Sequence, residues 1–413
     1  MVDNYKIIND PVHGFINIPS GLISRIIEHP WFQRLRDIKQ LGLTNLVYPG
    51  AVHSRLSHAL GAMHLMRESI AVLRKKGVEV TFQEEEAASA AMLLHDVGHG
   101  PFSHALENKI VCGVSHEEIS LAMMERMNVE FGGALDMAVS IFHARYPKKF
   151  LHQLVSGQLD TDRLDYLKRD SFFSGVAEGM IGLERIIKML TVRDNILVVE
   201  EKGIYSVEKF LISRRLMYWQ VYLHKTVVAA EQMIISIFSR ARELGTNGYP
   251  LEGSPALRYF LSQNLTSQSF LKGDAIEMFT RLDDTDVMSA IKQWQFCDDS
   301  TLSMLCKMLT ERKLPKIEFC KELPSNDLVK LKEDELRRSL DGAVGLDLSF
   351  FVKTGKVLNK GYDADEGEIL ILSKDGMLND VYGISDMLSA RAFSQITKKY
   401  FLCTAVINKK EWK

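Results

Sequence analysis

The sequence predicts a mainly α fold with a smaller C-terminal α+β region. Apolar residues recur at helical spacing from Leu22 to about residue 244, and short β-rich apolar runs replace that period after about residue 310. The 413 residues and 46% hydrophobic content support a large core and more than one domain. The break Gly245-Thr246-Asn247-Gly248-Tyr249-Pro250 suggests the division. Residues 1–245 are expected to form a helical core with an N-terminal extension, and 246–413 a helical, then α+β region.

Each element has a local reason. Residues 1–20 read as extended or looped, with Asp10-Pro11 and Ile18-Pro19 as breakers. Leu22, Ile23, Ile26 and Ile27 begin the helical period. Trp31, Leu35 and Ile38 continue it behind Pro30, a residue suited to the first helical position. Residues 57–75 and 82–95 read as two helices, the second opened by the capping box Thr81-Phe82-Gln83-Glu84. Gly98, Gly100 and Pro101 end it, which leaves His95-Asp96 at a helix C-terminus leading into a turn. Residues 116–127, 135–143 and 158–173 are further helices. Residues 195–199 and 203–207 read as a short hairpin, and 208–244 as one long amphipathic helix. Residues 369–372, before the Lys374-Asp375-Gly376 turn, and 401–407 read as strands, with a helix over 385–398 between them. There is no internal repeat and no low-complexity tract.

Composition excludes several classes. The formal net charge of −2 provides no global field for nonspecific nucleic-acid binding, so strong nucleic-acid binding is not expected. Cys112, Cys297, Cys306, Cys320 and Cys403 are odd in number and lack CxxC spacing, which suits reduced thiols in the cytoplasm. The N-terminus lacks a signal-like apolar region, and no run approaches the roughly 20 apolar residues of a membrane span.

Histidine placement points to chemistry. None of the 12 histidines follows His224, and seven of them (His53, His58, His64, His95, His99, His104 and His116) fall within 64 residues. Imidazole is both a common metal ligand and an acid–base group near neutral pH. Taken singly, His13, His29, His64, His143 and His152 read as surface or satisfied core histidines. His95-Asp96 differs, because adjacent imidazole and carboxylate groups can serve one ion, with His99 and His104 close enough for acid–base work. A hydrolytic site needs more ligands. His58 is a candidate, as is a carboxylate from the run Asp160 to Asp170, where Asp162, Asp165/Tyr166 and Arg169/Asp170 share a helix face. Taken alone, that run also fits a solvated, salt-bridged helix face.

Together these residues resemble a known family. His58, His95-Asp96 and Asp162 are similar to the H…HD…D signature of HD-domain metal phosphohydrolases. Asn9-Asp10-Pro11-Val12-His13-Gly14, the run Phe32 to Gly42, Tyr48-Pro49-Gly50-Ala51, Ser54 to His58, His95 to His104 and Asp160 to Asp170 occur in the order found in deoxynucleoside triphosphate triphosphohydrolases of the SAM-and-HD-domain type and their bacterial homologues. The resemblance is dense over residues 5–175, moderate to about 240 and weak beyond. It implies an HD-domain helical core that releases inorganic triphosphate from dNTPs.

The resemblance also implies roles. His58, His95, Asp96 and Asp162 hold one divalent transition metal (Mn, Fe, Co, Ni or Zn), with Mg accompanying the nucleotide. His104 is the acid–base group, oriented by Glu107, while His99 and His116 line the phosphates. Arg55 binds the α-phosphate side. Gln40, Leu41 and Asp170 hold the deoxyribose 3′-hydroxyl, and Tyr166 crowds C2′. Arg163, Arg214, Tyr222 and His224 grip triphosphate and sugar. Asn9, Glu28, Gln33 and Arg36 correspond to an effector site for a guanine nucleotide or dNTP between subunits of a homo-dimer or homo-tetramer. Arg163 stands where the vertebrate relative has Lys, and Glu28 where it has Asp. No room for a SAM domain is expected before Tyr5. The competing expectations are an HD phosphohydrolase for another nucleotide or phosphate ester, and a nonenzymatic nucleotide sensor.

Overall fold

The computed structural model describes residues 5–340, 345–359, 367–385 and 397–407. The chain opens with a hairpin of β1 (Tyr5–Asp10) and β2 (Gly14–Pro19), in which Asn9 pairs with Phe15. Next come α1 (Leu22–Glu28), α2 (Pro30–Gln33), α3 (Arg55–Lys75), α4 (Phe82–Leu94), α5 (Ser103–Ile110) and α6 (His116–Glu130). They are followed by α7 (Asp136–Phe142), α8 (Lys149–Val155), α9 (Thr161–Ser174) and α10 (Leu183–Met189). Helices α3, α4 and α9 form the centre: α3 buries a continuous stripe from Leu56 to Leu73, and the Ala-rich α4 is buried from Ala87 to Leu94. Both members of the Thr81/Glu84 capping box are present on α4.

One expectation is sharpened by the structure and two differ from it. Tyr5–Pro19, within the stretch read as extended or looped, pair as a hairpin, because the Asp10 carboxylate accepts from the Val12 and His13 amides and closes the turn. The second hairpin is shifted. Strand β3 (Leu190–Arg193) pairs with β4 (Ile196–Glu200) around Asp194 and Asn195, both at positive φ, and residues 204–217 are helical. The long helix is divided in two: α11 (Ile204–Met217) passes through a π turn at Tyr218–Tyr222 and breaks before α12 (Lys225–Thr246). His224 caps α12 by accepting from the Thr226 amide. This break turns Tyr218 and Tyr222 toward the site.

The remainder holds α13 (Pro255–Ser262), α14 (Ser267–Lys272), α15 (Ala275–Phe279), α16 (Asp284–Trp294), α17 (Ser300–Thr310) and α18 (Asn326–Ser339). Strands β5 (Lys316–Cys320), β6 (Val352–Asn359) and β9 (Thr397–Thr404) form one antiparallel sheet, in the order β5-β9-β6. Strands β7 (Leu370–Leu372) and β8 (Leu378–Asp380), the latter followed by the short α19 (Val381–Ile384), extend the β3-β4 sheet. The helix expected over 385–398 falls mainly on residues 386–396, outside the described residues, and residues 397–398 already belong to β9. One hydrophobic cluster runs from Ile16 to Ile407. Among the described residues, no helix is long and apolar enough to cross a membrane.

Candidate metal centre and adjoining cavity

Four side chains converge between α3, α4 and α9. Ser54 caps α3 and places His58 in its first full turn, fully buried. His95 is the last residue of the α4 cap, and Asp96 follows it into the turn. Asp160 caps α9 by accepting from the Arg163 amide and sets Asp162 in the first turn. Asp162 Oδ1 lies 3.0 Å from His58 Nε2 and 3.6 Å from His95 Nε2, and Asp96 Oδ1 lies 3.4 Å from His95 Nε2. His58, His95 and Asp162 could together hold a metal ion.

The tautomers fit an ion. His58 Nδ1 lies 2.8 Å from Asp165 Oδ2, and His95 Nδ1 lies 2.7 Å from the Met92 carbonyl. Each neighbour is an acceptor, so each Nδ1 carries the proton and each Nε2 presents a lone pair. Both Nε2 atoms are buried without a hydrogen-bond partner. Two orphaned imidazole nitrogens facing two carboxylates are the donor set of a divalent transition metal. In the protein alone, burial lowers the His58 pKa, but Asp162 and Asp165 outweigh it and push it up to about 10. Burial likewise opposes ionisation of Asp162, yet His58 and His95 hold it well below the usual carboxylate range.

A buried network behind the ligands carries the orientation. Asp165 also contacts His13 Nε2 at 2.6 Å and accepts from Arg169 Nε at 2.8 Å; Arg169 in turn donates to Asp10 at 2.8 Å. The α9 run is thus buried at Asp165, Arg169 and Asp170 rather than forming a solvated face. Gly61 permits this approach, since a Cβ there would overlap Asp165 Oδ1 and Arg169 Nη2. Gly98 has the same role on the turn, where Ser120 Oγ accepts from the Gly98 amide and donates to the His95 carbonyl. Arg34 donates to the Val97, His99 and Leu282 carbonyls. Phe102 takes a left-handed φ of 52°, with its amide held by Asp284 Oδ1 at 2.8 Å.

The centre opens on a cavity of about 310 Å³. Gln40, Leu41, Arg55, Tyr166, Asp170 and Tyr222 line it, together with His99 and His116. Arg55 is ion-paired with Asp96. The His99 and His116 rings stack at 3.9 Å. Burial, then Arg55, drives the His99 pKa well below its usual value. Burial acts the same way on His116, but Glu107, which binds its Nδ1 at 2.8 Å, raises it. One ring is therefore kept neutral beside one that favours its charge. Asp170 is held on both sides, by His53 Nε2 at 2.8 Å and by the Tyr222 hydroxyl at 2.7 Å. Asp96, His116 and Asp162 also line a second cavity of about 590 Å³, which Arg163 borders.

Other expected residues lie elsewhere. Arg163 is paired with Asp160, and Arg214 is buried and donates to Gln158 Oε1 at 3.0 Å; neither lines the smaller cavity. His224 packs against Tyr48 and caps α12. The backbone of His104 lies in α5, but its side chain falls outside the described residues. On the outer surface, Glu28 pairs with Lys6, Gln33 donates to the Ile27 carbonyl, Arg36 donates to Gln33, and Asn9 is exposed on β1. Sequence reasoning missed the supporting roles of His13, His53, Asp165, Arg169 and Asp284. Asp165 was legible from its one-turn offset to Asp162; Asp284 has no local signal.

The chain has recognisable relatives. The pattern described as HD domain matches residues 55–170, and that described as HD associated region matches 181–247. The chain is similar to YwfO, an uncharacterised protein of Bacillus subtilis, at 32% identity over 91% of this chain and 87% of YwfO. It is also 32% identical to the deoxynucleoside triphosphate triphosphohydrolase SAMHD1 homolog of Dictyostelium discoideum, over 57% of this chain and 49% of that protein. The chain thus spans about half the length of that triphosphohydrolase. A crystal structure of a phosphohydrolase from Bacteroides thetaiotaomicron superposes with a TM-score of 0.93 at 51% identity, covering 98% of this chain and 100% of the other.

Proposed function

The chain belongs to the HD-domain family of phosphohydrolases, and from that premise we propose that it hydrolyses dNTPs to deoxynucleoside and inorganic triphosphate. The observation that carries this reading is the pair of orphaned, buried Nε2 atoms on His58 and His95, set against Asp162 beside a nucleoside-sized cavity. A divalent transition metal held by His58, His95, Asp96 and Asp162 would polarise the phosphoryl group and neutralise the charge that develops on it. Two carboxylates and two imidazoles suit Mn, Fe, Co, Ni or Zn, with Mg travelling on the nucleotide.

The chain's own residues supply the rest. Arg55 neutralises the α-phosphate side, with His99 and His116 along the phosphates. His104 protonates the leaving oxygen, with Glu107 in the same helix as its positioning partner. Asp170, held between His53 and Tyr222, accepts from the 3′-hydroxyl, with Gln40 and Leu41 closing over the sugar. The Tyr166 ring lines the same cavity and would crowd C2′ of the sugar, against a 2′-hydroxyl. Arg163, which borders the larger cavity, would meet the outer phosphates; Arg214 and His224, assigned to triphosphate and sugar by the resemblance, line neither cavity.

Asn9, Glu28, Gln33 and Arg36 form the effector surface for a guanine nucleotide or dNTP in a homo-oligomer. Light scattering with and without nucleotide checks this; a fully active strict monomer overturns it. The reaction is tested by a triphosphate-release assay with each dNTP and rNTP, with Mn or Mg, alone and paired with GTP or dGTP. Triphosphate release that is lost in Asp162→Ala and His104→Ala supports the reading. No triphosphate from a metal-loaded protein moves the substrate to another phosphate ester or to nucleotide sensing.

A further inference from the structure

One carboxyl group in the cavity wall is left over. Glu231 lies two turns into α12, on the face that reaches the 310 Å³ cavity, among the otherwise apolar buried residues Val227, Val228, Ala230 and Ile234. Every other carboxylate lining that cavity is engaged. Asp96 pairs with Arg55, Asp162 faces His58 and His95, and Asp170 is held by His53 and Tyr222. Glu231 makes no hydrogen bond or ion pair with any described residue, and it belongs to no described group that could hold a metal ion. Burial alone pushes it up to about 7. A partly buried carboxyl without a partner costs stability, so its placement at a cavity wall needs a functional reason.

The chemistry of a nucleotide narrows that reason. Phosphates repel a carboxylate, and the cations that suit them, Arg55 and His116, stand at the metal end. The sugar hydroxyl already has Asp170. The remaining donor-bearing part is the base. The same cavity wall supplies Leu41, Leu43, Phe102 and Ala105 with the rings of Tyr218 and Tyr222, and α12 packs against the segments that carry Leu43, Ala105 and the two tyrosines, an apolar and aromatic setting suited to a planar heterocycle. A carboxylate has two acceptor oxygens side by side. Guanine offers two adjacent donors, N1–H and N2–H. Adenine and cytosine offer one amino donor beside a ring acceptor, and thymine a single N–H between two carbonyls.

Resting on the dNTP reading above, we propose that Glu231 is a specificity-determining residue that accepts hydrogen bonds from the donor edge of the base, with guanine favoured and thymine disfavoured. The test is kcat/KM for dGTP, dATP, dCTP and dTTP in the wild-type chain, Glu231→Gln and Glu231→Asp. The dGTP-to-dTTP ratio should fall about tenfold or more in Glu231→Gln, the worth of one good bidentate pair. Glu231→Asp, which keeps the charge, should retain the wild-type order. Glu231→Gln removes an unpaired, partly buried acid, so its Tm should be unchanged or higher, which separates a lost base contact from a damaged fold. An unchanged dNTP ranking in Glu231→Gln overturns the proposal and leaves the dNTPase reading standing. If the wild-type chain turns over no dNTP, the dNTPase reading fails on its own. Calorimetric titration with dGMP and dTMP then decides: a dGMP preference lost in Glu231→Gln supports the base contact, and equal affinities overturn it.

Discussion

His58 and Asp165 meet through Nδ1 and Oδ2 at 2.8 Å, with neither side chain exposed to solvent. The contact fixes the tautomer that turns the His58 Nε2 lone pair toward Asp96 and Asp162. Asp165→Asn keeps the shape but removes the charge that holds the imidazole in place. Metal affinity, measured by competition with a chelator, should fall about 10- to 100-fold. Unchanged affinity in a folded variant would show that His58 is oriented without Asp165.

Asp284 ties two walls of the cavity together from far along the chain. Its Oδ2 accepts from the Lys39 amide at 3.0 Å and its Oδ1 from the Phe102 amide at 2.8 Å. Asp284→Ala leaves the buried Phe102 amide and the partly buried Lys39 amide without this acceptor, at about 1–3 kcal/mol for the buried group. Thermal unfolding should show a clear loss of Tm. KM for the nucleotide should rise as well, because Gln40 and Leu41 follow Lys39 directly. A variant that loses Tm with KM unchanged would assign Asp284 to stability alone.

Those two residues mark how far the chain could be read in advance. The convergence on the centre was legible because its parts carry local signals: a capping box on α4, a cap before Arg55, and acids one turn apart on α9. The break inside residues 204–246 was not legible. Apolar spacing runs straight through it, and the π turn that displaces Tyr222 is set by tertiary packing and by the Tyr222–Asp170 hydrogen bond. The shifted hairpin has a similar cause. Asp194 and Asn195 tolerate positive φ, and that turn pairs Leu190–Arg193 with the strand instead of residues 203–207. Asp284 acts across 245 residues of sequence, so no window on the sequence could connect it to Lys39.

Glu84 supplies a pH dependence of stability well away from the centre. Burial alone would raise its pKa, but the Lys148 ammonium, the Thr81 amide and the Tyr146 hydroxyl hold it below its ordinary value of 4.5. A depressed folded-state pKa means that the ionised form stabilises the fold. That contribution is complete above 4.5 and is lost as pH falls through the lower, folded-state value. Glu84→Gln should therefore unfold about 1–3 kcal/mol more easily than wild type at neutral pH. In denaturant titrations the gap should close on acidification below about pH 4. A gap that stays constant down to pH 3 would assign the loss to packing instead of charge.

Removing the metal should loosen the centre itself. His58 and His95 each present a buried, unpartnered Nε2, and Asp162 stands beside both. An ion that binds only the folded chain adds RT ln(1 + [M]/Kd), about 2.7 kcal/mol at a hundredfold excess over Kd. Exhaustive chelation, checked by elemental analysis, should lower Tm, and returning a single divalent metal should restore it. For matched concentrations the recovery should increase from Mn through Fe, Co and Ni. His58→Ala deletes one ligand and leaves the other three, so its Tm should respond only weakly to the same additions. If chelation removes all metal from the wild-type chain and Tm does not move, the four side chains are not a metal centre. Their convergence would then be a hydrogen-bonding arrangement among two imidazoles and two carboxylates.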